Sequence, residues 1–257
     1  MAYRSISGVL LGILLAAAPG TRAQERMPAA SRVSDSAIEP APGIRTDRLS
    51  PRQLRAWRAI EEMVFAKDGS GQFSHPKLHD LWQWVETSGH VIYVELGRPK
   101  GRWDIQAGWF KIERFDPEGQ KHTAVIMLCL PVIDEALVRE RIRPGDRFIQ
   151  YEGLGRKERY AEVLGHELAH AVSILGNRSH ARLLEVLDRE VEEFNNRRRE
   201  AVHGVDWDEQ ARQQLSRIES WTREIEMPAR TAEAEVWQEL RKSRGTRSDA
   251  SLLHKKD

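Results

Sequence analysis

Two histidines four residues apart, with a glutamate directly after the first, carry the clearest chemistry in this chain: His166-Glu167-Leu168-Ala169-His170, within E-V-L-G-H-E-L-A-H-A-V. On a helix, four residues advance about 6 Å and return the side chain to nearly the same face, so both imidazoles can reach one tetrahedral cation. The spacing suits zinc. Glu167 projects about 100° around the helix from His166, beside such an ion rather than onto it. There it can take a proton from water that the ion activates, as metal-assisted hydrolysis requires. Val163, Leu164, Ala171 and Val172 around the motif are uncharged, which keeps the site dry and the helix buried. An amphipathic helix with two histidines on its face has no structural need for the intervening carboxylate.

Over these eleven residues the chain resembles the zincin metallopeptidases. The resemblance implies that His166 and His170 are zinc ligands and that Glu167 is the general base. It also implies that substrate backbone adds to an edge strand of a small sheet beside the metal helix. The third ligand decides the branch. A metzincin-like H-E-x-x-H-x-x-G-x-x-H needs glycine at Ser173 and histidine at Gly176, so that branch is excluded. A glutamate from a later helix, as in the gluzincins, remains. Glu190 stands twenty residues after His170, a spacing similar to thermolysin-type enzymes, on a stripe with Leu183, Leu187 and Phe194. The N-E-x-x-x-D pattern of those enzymes is absent, because Arg189 precedes Glu190 and Phe194 holds the aspartate position. Glu233 is preferred: it falls within the apolar stripe Ala229, Ala232, Val236, Trp237 and Leu240, where a carboxylate needs a partner or a metal. An ion pair with an arginine is the competing role. Glu226, just ahead of Pro228, reads as a helix-start carboxylate or as an acceptor orienting a ligand imidazole. His180 reads as a loop or capping histidine. Tyr160, His180, His203 and Arg230 can all donate to an oxyanion, yet each has an ordinary packing or ion-pairing role and none is assigned.

The elements that must position these groups are legible by period. Ser50 and Pro51 form a helix start, followed by Leu54, Trp57, Ile60, Met63 and Val64 on one stripe. Residues 91–97, 109–115 and 123–130 read as strands, with a turn at 116–120. The 109–115 strand alternates and has one wet face, whereas 123–130 is apolar throughout and reads as buried on both faces. Beyond residue 156 four helices are expected, at 157–175, 180–199, 206–226 and 228–242, with breaks at 176–177, 203–204 and 227–228. The fold class is therefore α+β, predominantly helical, with a small sheet beside the metal helix.

The chain has 257 residues, a formal charge of +1 and 40 basic against 39 acidic residues, so no global basic field exists to hold nucleic acid. Cys129 is the single cysteine, which excludes an intrachain disulfide and a cysteine-based zinc module. Arg4, the apolar run from Val9 to Ala18, a Pro-Gly break and small residues at Thr21 and Ala23 read as a signal peptide over residues 1–23. The apolar run is about half the ~20 residues that span a bilayer. Residues 24–50 read as a disordered linker, 51–243 as the domain and 244–257 as a disordered tail. These observations describe an exported, periplasmic or secreted zinc peptidase acting on a peptide or protein, with no membrane span after signal cleavage. A zinc-binding or helical scaffold protein without turnover, or a zinc hydrolase of another bond, are the competing classes.

Overall fold

Ser50 caps the first helix as its position ahead of Pro51 predicts. Its hydroxyl accepts the N–H of Gln53 while the Gln53 side chain accepts the N–H of Ser50. This reciprocal pair opens α1 (Pro51–Val64), which turns Trp57, Ile60, Met63 and Val64 inward. The computed structural model describes residues 41–97, 107–116, 118, 121–142, 154–201 and 209–253. Within them β1 (Gly43–Arg45) precedes α1; α2 (Pro76–Thr87), β2 (Val91–Leu96), β3 (Gly108–Arg114) and β4 (Thr123–Leu128) follow. The rest is helical: α3 (Leu130–Ile142), α4 (Arg156–Leu175), α5 (Arg178–Ala201) and α6 (Glu209–Leu253). Among the described residues the fold is α+β, six helices and one mixed four-stranded sheet.

The sheet order is β1-β2-β4-β3, with β1, β2 and β4 parallel and β3 antiparallel to β4. The β3–β4 pair is the hairpin expected across 116–120. As an interior strand, β4 buries Ala124, Val125, Ile126 and Leu128, which explains its unbroken apolar run. Register places Phe110 opposite Ile126 and Ile112 opposite Ala124. With Ile92, Val94 and Leu96 of β2, these side chains form the face that packs on Ala161, Leu164, Leu168 and Ala171 of α4. β3 is the edge strand beside α4; among the described residues it pairs only with β4. A second cluster, Ile174, Ala181, Leu187, Phe194, Ile218 and Ile225, joins the end of α4 to α5 and α6.

Four elements differ from the sequence expectation. β1 lies inside the stretch read as linker; Ile44 packs against the core and its strand pairs in parallel with β2. α2 was not anticipated, although Pro76 at its start and the buried stripe Leu78, Leu81, Trp82 and Val85 are ordinary helix signals. α3 begins directly where β4 ends, so one apolar run conceals the change of period. The helices expected at 206–226 and 228–242 are one helix, α6, which runs through Pro228. A proline removes one N–H and bends a helix without ending it when both halves pack; here Ile218 and Ile225 lie buried before it and Ala229, Ala232 and Val236 after it. α6 also continues into the stretch read as tail, as far as Leu253. The signal peptide at 1–23, most of the linker and residues 254–257 lie outside the described residues.

Candidate metal centre

His166 and His170 lie on the side of α4 opposite Leu164, Leu168 and Ala171, which are fully buried in the core. Their rings meet edge to face, with centroids 4.8 Å apart and the two Nε2 atoms 3.1 Å apart. Facing them is a stripe of α6 made of Glu226, Arg230 and Glu233. Residues seven apart return to within about 20° of the same direction on a helix, so unbroken passage through Pro228 puts both carboxylates on one side.

The carboxylate that joins the two Nε2 atoms is Glu226. Its Oε1 is 3.3 Å from His170 Nε2 and its Oε2 is 3.7 Å from His166 Nε2. Donor atoms of His166, His170 and Glu226 all lie within 4.8 Å of one another, a candidate metal centre. Glu233, preferred as third donor from its apolar stripe, is instead 3.1 Å from His166 Nδ1, on the ring edge turned away from His170. The physical reason for the exchange is the continuity of α6. With a helix starting at Pro228, Glu226 would precede it; with one helix, Glu226 projects from its middle. The seven-residue interval between Glu226 and Glu233 was the available sequence signal. Glu190 is elsewhere, accepting a 2.8 Å hydrogen bond from Gln214 Nε2 and facing Arg217.

Glu167 is buried beside the cluster, and among the described residues its Oε2 has no hydrogen-bond partner. Burial raises its pKa to about 7, against the opposing pull of the two imidazoles. For His166, burial acts to lower the pKa, but the Glu233 hydrogen bond and the charges of Glu167, Glu233 and Glu226 outweigh it and lift it to about 9. Burial acts to raise Glu226, yet the hydrogen bond and charge of His170, with His166 and Arg230, hold it below the ordinary carboxylate range. Arg230 stands one turn on from Glu226, 3.6 Å from its Oε2.

The remaining candidates have structural partners. His180 Nδ1 donates to the Ser173 carbonyl at 3.1 Å, capping the last turn of α4. The Tyr160 hydroxyl donates to Asp134 at 2.7 Å. His203 lies outside the described residues. No helix among those described is long and apolar enough to cross a membrane. The triad of two histidines on α4 and a glutamate on α6 resembles the H-E-x-x-H…E pattern of the zincins. Comparisons with protein families, with curated proteins and with solved structures found no match for this chain.

Proposed function

We propose that the protein is an exported zinc-dependent peptidase whose metal is held by His166, His170 and Glu226, with Glu167 as general base. One observation carries this reading: two imidazole nitrogens from one helix and a carboxylate from another converge, with one donor atom of each within 4.8 Å of the others. Bonds of about 2.0–2.2 Å at tetrahedral angles separate neighbouring donors by about 3.4 Å; the two Nε2 atoms are 3.1 Å apart, and the Glu226 carboxylate approaches that of His170 to 3.3 Å with one oxygen and that of His166 to 3.7 Å with the other. Two nitrogens and one oxygen are an ordinary donor set for zinc with one position left open. Bound there, zinc would polarise water and the scissile carbonyl as a Lewis acid.

The chain's own groups do the rest. Glu167 takes the proton from the attacking water at its carboxylate and can return it to the departing amine. Glu233 accepts the Nδ1–H of His166, fixing the tautomer that leaves Nε2 free to ligate. Arg230 balances part of the charge of Glu226. The β3 edge, packed against α4, is the place for an extended peptide to add as a further strand. Export is proposed on residues 1–23, and N-terminal sequencing of the mature protein is expected to begin at Gln24.

The test is metal analysis combined with digestion of a diverse peptide library by wild type and by Glu167→Gln. Wild type is expected to hold one zinc and cleave; the variant keeps zinc and cleaves at least ~10²-fold more slowly. Equal cleavage by both removes Glu167 as the base. Zinc binding without any cleavage by wild type would favour a non-catalytic zinc protein.

A further inference from the structure

Resting on the peptidase reading above, we propose that Gly108 is a positioning residue: its missing side chain lets β3 bear directly on Glu167 and sets where that carboxylate stands. A β-carbon placed on Gly108 would lie 2.7 Å from Glu167 Oε1, 3.1 Å from Glu167 Cγ and 2.9 Å from Val163 Cγ1. Carbon atoms in comfortable contact are about 3.5–4.0 Å apart, so even one methyl group does not fit. Backbone freedom is not the reason for glycine here, because the positive-φ glycines are Gly43, Gly71 and Gly89. The requirement is space.

The wall that Gly108 forms is firm. Gly108 is in register with Leu128 of β4, and next to it the Ala107 carbonyl accepts the Cys129 N–H at 2.8 Å. Farther along β3, Arg48 holds Glu113 through two hydrogen bonds of 2.8 and 2.9 Å and reaches Glu95 of β2 at 3.0 Å. Glu167, by contrast, has one buried oxygen with no hydrogen bond to anchor it among the described residues. Its carboxylate is therefore placed by what it abuts, and what it abuts is the edge strand. The same strand that would receive the substrate thus also sets the base, so base and substrate share one reference surface.

Gly108→Ala is expected to push the Glu167 carboxylate by roughly 1 Å, the shortfall from normal contact distance. Misplacement of that size costs up to ~10²-fold in rate. The expected kinetic pattern is a 10- to 100-fold fall in kcat with KM and zinc affinity nearly unchanged. A double-mutant cycle separates this from general loosening: Glu167→Asp keeps Cγ but withdraws the oxygen that meets the added methyl at 2.7 Å, so Gly108→Ala should cost less in that background. Equal cost in both backgrounds overturns the proposal. Crystal structures of metal-free wild type and Gly108→Ala supply a readout independent of turnover. They are expected to show Glu167 displaced while His166, His170 and Glu226 stay in place. A carboxylate in its original position with β3 moved away instead overturns the proposal, even if no peptide substrate is ever found. Should Gly108→Ala not fold, the same comparison is made with Gly108→Ala/Val163→Ala, which removes the clash with Val163 and leaves the one with Glu167.

Discussion

Glu226 faces two imidazole nitrogens at once, whereas Glu233 faces one nitrogen of one ring. Removing them should therefore have unequal effects. Glu226→Ala is expected to abolish tight zinc binding, Glu233→Ala to weaken it by about 10- to 100-fold, as loss of a ligand-orienting acceptor does, and Glu190→Ala to leave it unchanged. Calorimetric titration of zinc into the metal-free variants distinguishes the three. A larger loss from Glu233→Ala than from Glu226→Ala would return the ligand role to Glu233. At this scale the placement of His166, Glu167 and His170 together on one helix was readable, because five residues on one helix fix their own geometry. The third carboxylate was not, because its direction depends on whether α6 stops or continues at Pro228, which is decided by packing on both sides of the proline. Gly108 was invisible for a related reason: an absent side chain has meaning only once its neighbour is known.

The contact between α4 and α6 is as close as it is because Gly165 precedes His166. A β-carbon at Gly165 would meet Val236 Cγ2 at 3.1 Å, Val236 Cγ1 at 3.3 Å and Leu78 Cδ1 at 3.4 Å. Gly165→Val is thus expected to lift α6 from α4, destabilising the protein by about 1–3 kcal/mol as overpacking does. It should also weaken zinc binding, since Glu226 and Glu233 move with their helix. Denaturant melts and zinc titration of this variant check both effects; a stability loss with unchanged zinc affinity would show that α6 does not carry the donors as a unit. The elements themselves were legible wherever a cap or a clean period marked them: Ser50-Pro51 for α1, the alternation of β3 and the apolar run of β4. They were not legible where a boundary lay inside an apolar stretch, as between β4 and α3, or where pairing rather than composition creates order, as at β1.

Across the whole molecule, acid sensitivity should come from a pair of histidines remote from the metal-centre motif in sequence. His90 Nδ1 accepts the N–H of His122, and His122 Nδ1 accepts the N–H of Asp116, each at 3.1 Å, joining the start of β4 to the start of β2 and the end of β3. Burial lowers the pKa of both, and for His90 the nearby His122 adds to it; Asp116 opposes the shift at each, and the Leu175 carbonyl also opposes it at His90. A histidine held below its ordinary value of 6.5 contributes stability that is complete above that pH and is lost as pH falls beneath it. The pair should therefore lower the unfolding temperature between pH 7 and pH 5, against a gain from Glu167, whose raised pKa favours the folded state over the same fall; His122→Asn, which keeps an acceptor but cannot titrate, should lose less than wild type. Equal drops in both proteins would remove the pair from the account. The division of the donors between two helices has a wider consequence for a protein of this kind. Docking of α6 on α4 and occupancy by an ion are one linked equilibrium, in which free ion at a hundred times its dissociation constant adds about 2.7 kcal/mol to folding. On the proposal that the protein is an exported zinc enzyme, scarcity of zinc outside the cell would shorten the life of the molecule as well as silence it, making its abundance a gauge of the surrounding metal.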